Sequence, residues 1–576
     1  MAIGEVALAV GDTVRLRDAL PTSTIAKPEL ANAPWTADAP EVAALAGDLV
    51  VPLDAGVTSA RATVGSRVFC VTLRVMASAV SVQGLVVATP VGPLWSGASA
   101  RVTAQLALSD GRSIAMPRGV TWESADSSIL SIDESGMLAP RRAGRTIVAG
   151  RVGLFRDSAV VQVTDSGVVT LQPAATTAFT QSVGVNVHLS YLDRVYGSGL
   201  RSIIIPRLQE LGVRHLRDGG TVLPNEDWMR EVYGRYREVA MATGARFTLI
   251  MSPRRTAAGP GSNYDDMTHV RELRDRLGLQ AMAAVEGLNE HDNSGHLLFA
   301  AEVRAAQRAL FEAVKGDPSL AASLEVLGPS MAFARNAPAV GDLSPYMDAG
   351  SIHPYSGGGV PTSRLAEHLA GARVISGNRP QQATEVGYHT SPVSTNPWHP
   401  AVSEGAQARY LLRELLQLFA AGIRRSFVYE LIDEGSNPGE MEDHFGLLRL
   451  DGSAKPSFTA LRNLLQIVGD AEAAAFVPTP VTLQLRGDTT GIRRLALQRP
   501  GGELLLLLWQ DADAYDTANR RDLSVAARRL TLELPGSSRV RVYTPLTTAA
   551  PLTTLPSART IQLDVPDHPV IVAIAP

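Results

Sequence analysis

Apolar and polar positions change rhythm twice along the chain. Through about residue 165, valine- and alanine-rich runs alternate with polar residues and are broken by turn residues, with almost no segment of helical period. That pattern predicts strands and an all-β region. From about Ser182 apolar strands alternate with helical-period segments. The strands read "VGVNVHLS", "VRHLRDGG", "RFTLIMSP", "AMAAVEGLNE", "LEVLGPS", "AGSIHPYS", "QQATEVGY" and "RSFVYELID"; the helices include "LLFAAEVRAAQRALFEAVKG" and "EGAQARYLLRELLQLFAAG". Eight such strands over about 285 residues have the length and rhythm of a (β/α)8 TIM barrel. A doubly wound open sheet is the alternative. It usually carries a glycine-rich phosphate loop after an early strand, and the sequence has none there. From Phe476 onward the rhythm is strand-like again, with runs such as "ELLLLLWQ", "RVRVYTP" and "VIVAIAP". This predicts a C-terminal β-sandwich.

The all-β region repeats itself. "WTADAPEVAALAGDLVVPLDAGVTSARATVG" from Trp35 matches "WESADSSILSIDESGMLAPRRAGRTIVAGRVG" from Trp122, with Gly56 and Gly144 in equivalent places. The two tryptophans are about one β-sandwich apart. The second copy resembles bacterial immunoglobulin-like group 2 modules, and the first is a more degenerate copy. The expected architecture is therefore multidomain: immunoglobulin-like β-sandwiches over 1–78 and 79–166, a catalytic barrel over 175–469, and a C-terminal β-sandwich over 470–576. The N-terminal modules read as spacers, since no row of exposed aromatics there would grip a sugar.

Composition narrows the partners. The 576 residues are 45% hydrophobic and 19% charged, with net charge −4. Such a chain is globular, with no basic field for nucleic acid and no polybasic segment for a membrane. The run "ELLLLLWQD" is too short to span a bilayer and reads as a buried strand. A single cysteine, Cys70, excludes an internal disulfide framework. "MAIGEVALAVGD" lacks the basic n-region and long h-region of a leader. The bacterial immunoglobulin-like resemblance nevertheless points to a secreted or cell-surface protein. Nothing in the sequence speaks to oligomeric state.

Barrel chemistry lives at the C-terminal ends of the strands. Here strand two ends on Arg217-Asp218, strand four on Asn289-Glu290, strand six on His353-Pro354-Tyr355, strand seven on Glu385, and strand eight on Tyr429-Glu430. A core-only barrel would not crowd one rim with ionisable groups, because each buried polar group needs a partner. Strands four and seven lie across the mouth from each other, so Glu290 and Glu385 can face one another. Two opposed carboxylates suit glycosidic-bond cleavage, one donating a proton to the leaving oxygen and the other attacking the anomeric carbon or activating water.

"VEGLNE" and "ATEVGY" resemble the two signature strands of glycoside hydrolase clan A, the retaining (β/α)8 glycosidases. "FGLLRLDGSAKPSFTALRNLL" is similar to the strand-eight exit and last helix of several clan families, and the general plan is most like family 39 and its neighbours. The resemblance implies Glu290 as acid/base, Asn289 on the sugar 2-hydroxyl and Glu385 as nucleophile. It also implies Arg217 and Tyr355 holding the nucleophile ionised, with His353 lining the site. Two departures stand out. Strand eight offers Tyr429 and Glu430 where the clan often presents tryptophan, and His291 follows the Asn-Glu pair in place of the frequent proline.

Several residues admit plainer readings. Glu226, in a second Asn-Glu pair, suits the first turn of a helix. Arg217 has Asp218 as an alternative partner. His188 suits either sugar contact or structural hydrogen bonding. Trp398 and His399 suit either a sugar-stacking wall or loop packing. "EHDNSGH" has no zinc-motif spacing, so neither a metal nor any other cofactor is expected. The alternatives to a retaining glycosidase are a carbohydrate-binding surface protein that has lost catalysis, and a transglycosylase using the same glutamates.

Overall fold

The computed structural model describes residues 2–16, 33–90, 94–95, 98–116, 118–164, 167–257, 259–469, 474–489 and 491–576. The expected boundary at 470 lies outside them. The chain forms two compact units. One comprises Met1–Val169 with Thr482–Thr490 and Leu530–Glu533; the other comprises Thr170–Val481, Gly491–Arg529 and Leu534–Pro576.

Much of the first unit is repeated, apart from the antiparallel sheet of Val82–Ala88, Thr103–Leu108 and Ser113–Ala115, which has no counterpart among the described residues of the first copy. Thr36–Ala37, directly after Trp35, pairs antiparallel with Gly56–Val64, as Thr121–Ser124, which contains Trp122, pairs with Gly144–Val152. Each copy has a short hairpin, Ala43–Ala46 with Leu49–Pro52 and Leu130–Ile132 with Met137–Pro140. Each has a long one, Gly56–Val64 with Arg67–Met76 and Gly144–Val152 with Phe155–Thr164. A parallel strand then joins each long hairpin, Ala2–Ala9 in one copy and Leu94–Trp95 in the other. The repeated glycine has a steric cause. A Cβ on Gly144 would lie 2.6 Å from Ile129 Cδ1, and one on Gly56 would lie 3.1 Å from Val42 Cγ2. One continuous apolar core, from Leu8 to Val163, serves both copies.

The second unit is built on eight parallel strands: β1 (Val183–Asn186), β2 (His215–Gly219), β3 (Arg246–Ile250), β4 (Met282–Glu286), β5 (Glu325–Leu327), β6 (Gly350–Ile352), β7 (Gln381–Val386) and β8 (Ser426–Val428). Their hydrogen-bonded order is 5-4-3-2-1-8-7-6. The sheet closes through the parallel bridge Leu327↔Ala349, with Gly328 N–H donating to Ala349 O at 2.8 Å and Asp348 N–H to Val326 O at 2.7 Å. Closure excludes the open doubly wound sheet. Helical segments follow every strand, among them Glu226–Thr243, Phe299–Lys315, Glu404–Ala420 and Pro456–Val468.

Glu226 stands in the first turn of its helix, capped by Asn225, whose side chain accepts from Trp228 N–H. Among the described residues no helix is long and apolar enough to cross a membrane.

In the same unit β9 (Ile492–Gln498), β10 (Leu504–Gln510) and β11 (Val570–Ile574) form an antiparallel sheet. The leucine run lies on β10, buried along its whole length. Helix Glu404–Ala420 is buried on nearly every side. Its polar side chains reach this C-terminal region: Arg413 pairs with Asp511 at 2.9 Å, and Tyr410 OH accepts from Ala514 N–H at 2.8 Å. Arg520 donates to the carbonyls of Ser394 at 3.0 Å and Ser391 at 2.9 Å. These bonds brace the long loop that follows β7.

Candidate active site

β2 carries Arg217 into the barrel, where it is 1% exposed. A guanidinium removed from water needs acceptors for all its N–H groups, and five bonds supply them. Nε donates to Glu286 Oε2 at 2.6 Å, and Nη2 to Glu286 Oε1 at 3.2 Å and Asn289 Oδ1 at 2.6 Å. Nη1 donates to Glu385 Oε1 at 2.7 Å and Asn186 Oδ1 at 3.0 Å. Burial alone would lower the Arg217 pKa, but Glu286 and Glu385 outweigh it and raise it. Asp218 points elsewhere, accepting from Leu189 and Gly219 N–H at 2.8 and 2.7 Å.

Glu385, on β7, has a second hydrogen-bond partner. Tyr355 OH donates to its Oε2 at 2.9 Å. Burial pushes the Glu385 carboxyl up, yet His353 and Arg217 outweigh burial and hold it below its ordinary value. His353 lies between the two candidate catalytic glutamates, with Nδ1 2.6 Å from Glu290 Oε1 and 3.5 Å from Glu385 Oε2. Its Nε2 meets Thr384 Oγ1 at 3.0 Å. Burial pushes this imidazole down, but Glu385 and Glu290 outweigh burial and raise it. One oxygen of Glu290 and one of Glu385 lie within 4.8 Å of each other.

The end of strand four differs from expectation. β4 stops at Glu286, and Asn289 and Glu290 stand on the loop beyond it. The polar terminus of the strand is thus Glu286, fully buried, with Ser351 Oγ and Thr384 Oγ1 donating to its Oε1 at 2.8 and 2.9 Å. The loop is fixed by its own polar residues. Asn289 bridges to Ser330, and Glu290 N–H donates to Ser330 O at 3.1 Å. Asp292 accepts from Ala332 N–H, Phe333 N–H and Asn336 Nδ2 at 2.9, 3.1 and 2.9 Å. His291 and His296 both contact Glu302, at 2.5 and 3.2 Å. Glu290 itself adopts φ +45°, a left-handed conformation costing about 1–2 kcal/mol for a residue with a Cβ.

A cleft of about 1600 Å³ opens over this network. Glu290, Glu385, Asn289, Arg217, His353, Tyr355, His188, Tyr429 and Trp398 all line it. Trp398 is 79% exposed, so loop packing does not account for it. His188 stacks on Tyr191, with ring centroids 4.8 Å apart. Tyr429 OH donates to Glu442 Oε2 at 3.1 Å, and burial pushes the Glu442 carboxyl up to about 7. Sequence reasoning missed Glu286, Ser351, Thr384 and Glu442. The signal for Glu286 was present, a glutamate ending the apolar run "AMAAVE" before a glycine.

No family model and no curated protein matches the chain. Among solved structures it is similar to a glucosidase from Croceicoccus marinus (14% identity, 71% of this chain and 99% of that chain, TM-score 0.49). It is also similar to a family 39 glycoside hydrolase from the gut symbiont Bacteroides cellulosilyticus WH2 (14% identity, 83% of this chain and 93% of that chain, TM-score 0.46). A third is an FMN-binding beta-glucuronidase from Facaelibacterium prausnitzii L2-6 (14% identity, 86% of this chain and 72% of that chain, TM-score 0.33).

Proposed function

We propose that the chain is a glycoside hydrolase that cleaves a glycosidic bond with retention of configuration. One observation carries the reading: Glu290 and Glu385 approach within 4.8 Å, while Arg217 and Tyr355 bond only the second of them. That proximity suits a retaining pair, whose carboxyl groups stand ~5–5.5 Å apart, better than an inverting pair at ~6.5–9.5 Å.

Glu385, kept ionised, attacks the anomeric carbon as the bond to the leaving oxygen breaks. Glu290 gives that oxygen its proton. Water then attacks the glycosyl–Glu385 ester, its proton passes to Glu290, and the carboxylate of Glu385 is released. His353 Nδ1 lies in hydrogen-bonding reach of the same Glu290 carboxyl. Asn289 contacts the sugar 2-hydroxyl, His188, Tyr429 and Trp398 form the walls, and the N-terminal repeats act as spacers of a secreted or cell-surface enzyme.

The test is reducing-end release across a polysaccharide and aryl-glycoside panel, with wild type beside Glu385→Ala and Glu290→Ala. Loss of one acid/base group costs about 10²–10⁴-fold. Added azide should return activity to both variants, giving an inverted glycosyl azide with Glu385→Ala and a retained one with Glu290→Ala. Activity surviving both substitutions would place the chemistry elsewhere.

A further inference from the structure

Outside the Glu290–Glu385 pair, one group of ligating atoms has no hydrogen-bonding role. His188 Nε2, beyond β1, lies 3.3 Å from Glu430 Oε2 and 3.3 Å from Glu434 Oε1, both beyond β8. All three atoms are buried, and none has a hydrogen-bond partner among the described residues; neither does the second oxygen of Glu430. Glu430 is 0% exposed. Glu434 turns its other oxygen toward Arg194 Nη1, at 3.6 Å.

From these observations we propose that His188, Glu430 and Glu434 bind a divalent cation behind the part of the cleft wall that His188 forms. A buried carboxylate left without a hydrogen bond is costly. A proton would satisfy one oxygen, whereas a cation satisfies the two carboxylates and the imidazole together. The spacing agrees. Around a tetrahedral ion with bonds of about 2.0–2.2 Å, neighbouring ligand atoms stand about 3.3–3.6 Å apart. Glu430 is fully buried and is not among the residues lining the cleft, so a sugar bound there does not contact it. One imidazole with two carboxylates suits Zn²⁺ or Mn²⁺ better than Ca²⁺, which takes oxygen ligands. Three protein ligands leave a fourth position for water. Such an ion would tie the end of β1 to the loop after β8. The inference is independent of the glycosidase reading.

The experiment uses the full chain, stripped with chelator and desalted after exposure to Zn²⁺, Mn²⁺, Ca²⁺ or Mg²⁺, with metal counted by elemental analysis and unfolding followed by heat. Wild type should retain one equivalent of Zn²⁺ or Mn²⁺ and melt at a higher temperature with it. Glu434→Gln and Glu430→Gln should each lose the ion. Glu302→Gln, which alters the separate His291–His296–Glu302 group, should keep it. Should Glu430→Gln fail to fold, Glu434→Gln, on the solvent side of the group, carries the test. A wild type that retains no ion, retention undiminished in Glu434→Gln, or loss only in Glu302→Gln would overturn the proposal.

Discussion

Nδ1 of His353 stands 2.6 Å from Oε1 of Glu290. The same nitrogen is 3.5 Å from Glu385, so one imidazole serves both carboxylates. Burial lowers the His353 pKa and the carboxylates more than offset this, leaving it above its ordinary value of about 6.5. A group raised on folding stabilises the native state in full below its unfolded pKa. That contribution fades as pH rises through the folded pKa. The melting-temperature gap between wild type and His353→Gln should therefore be larger near about pH 6 than near about pH 9. Scanning calorimetry across that range decides it. A gap that grows with pH would mean that His353 is buried neutral.

The Tyr355 hydroxyl donates to Glu385 through a 2.9 Å hydrogen bond, while its ring packs against His399 and Phe445. Tyr355→Phe keeps the ring and removes that bond. A hydrogen bond to a charged group contributes about 1.5–3 kcal/mol, so kcat/KM should fall by roughly 10- to 150-fold. The bond also helps hold the Glu385 pKa down, after His353 and Arg217. The acid limb of the kcat/KM–pH profile should accordingly move to higher pH in this variant. Loss of activity with an unmoved limb would assign Tyr355 to substrate contact.

Arg217 is the member whose removal should be felt most by the fold. Arg217→Met would leave Glu286 and Glu385 buried without their cation. Breaking a buried pair in this way costs about 3–5 kcal/mol, read as a lower midpoint in urea. The double variant Arg217→Met/Glu286→Gln removes one of the stranded charges and should recover part of that loss. Additive losses would show that the two side chains do not act as one unit.

The alternation of strand and helix made the barrel legible, because each apolar run in it is long enough to be buried and is followed by a segment of helical period. The rim was legible too, since polar groups directly after such runs have few other places to go. The end of β4 was harder to read. Glu286 continues an apolar run, and only Arg217, Ser351 and Thr384, from three other strands, make its burial affordable. Pairing between strands distant in sequence leaves no mark in local periodicity. The same holds for His188, Glu430 and Glu434, which the closed barrel brings together from the first and last strands.

Trp398 and Arg520 belong to different parts of the second unit yet bear on one loop. Arg520 donates to the carbonyls of Ser391 and Ser394, and Trp398, four residues beyond Ser394, stands in the cleft wall 79% exposed. An exposed side chain contributes little to stability, so Trp398→Ala should change it by no more than about 0.5 kcal/mol. If the indole stacks on bound sugar equally in ground and transition states, KM rises while kcat holds. Arg520→Ala removes the brace without touching the cleft, and should raise KM in the same direction. The two effects should then be less than additive in the double variant, because a freed loop no longer presents the tryptophan. Full additivity would separate them, leaving Arg520 a purely structural tie to the C-terminal region.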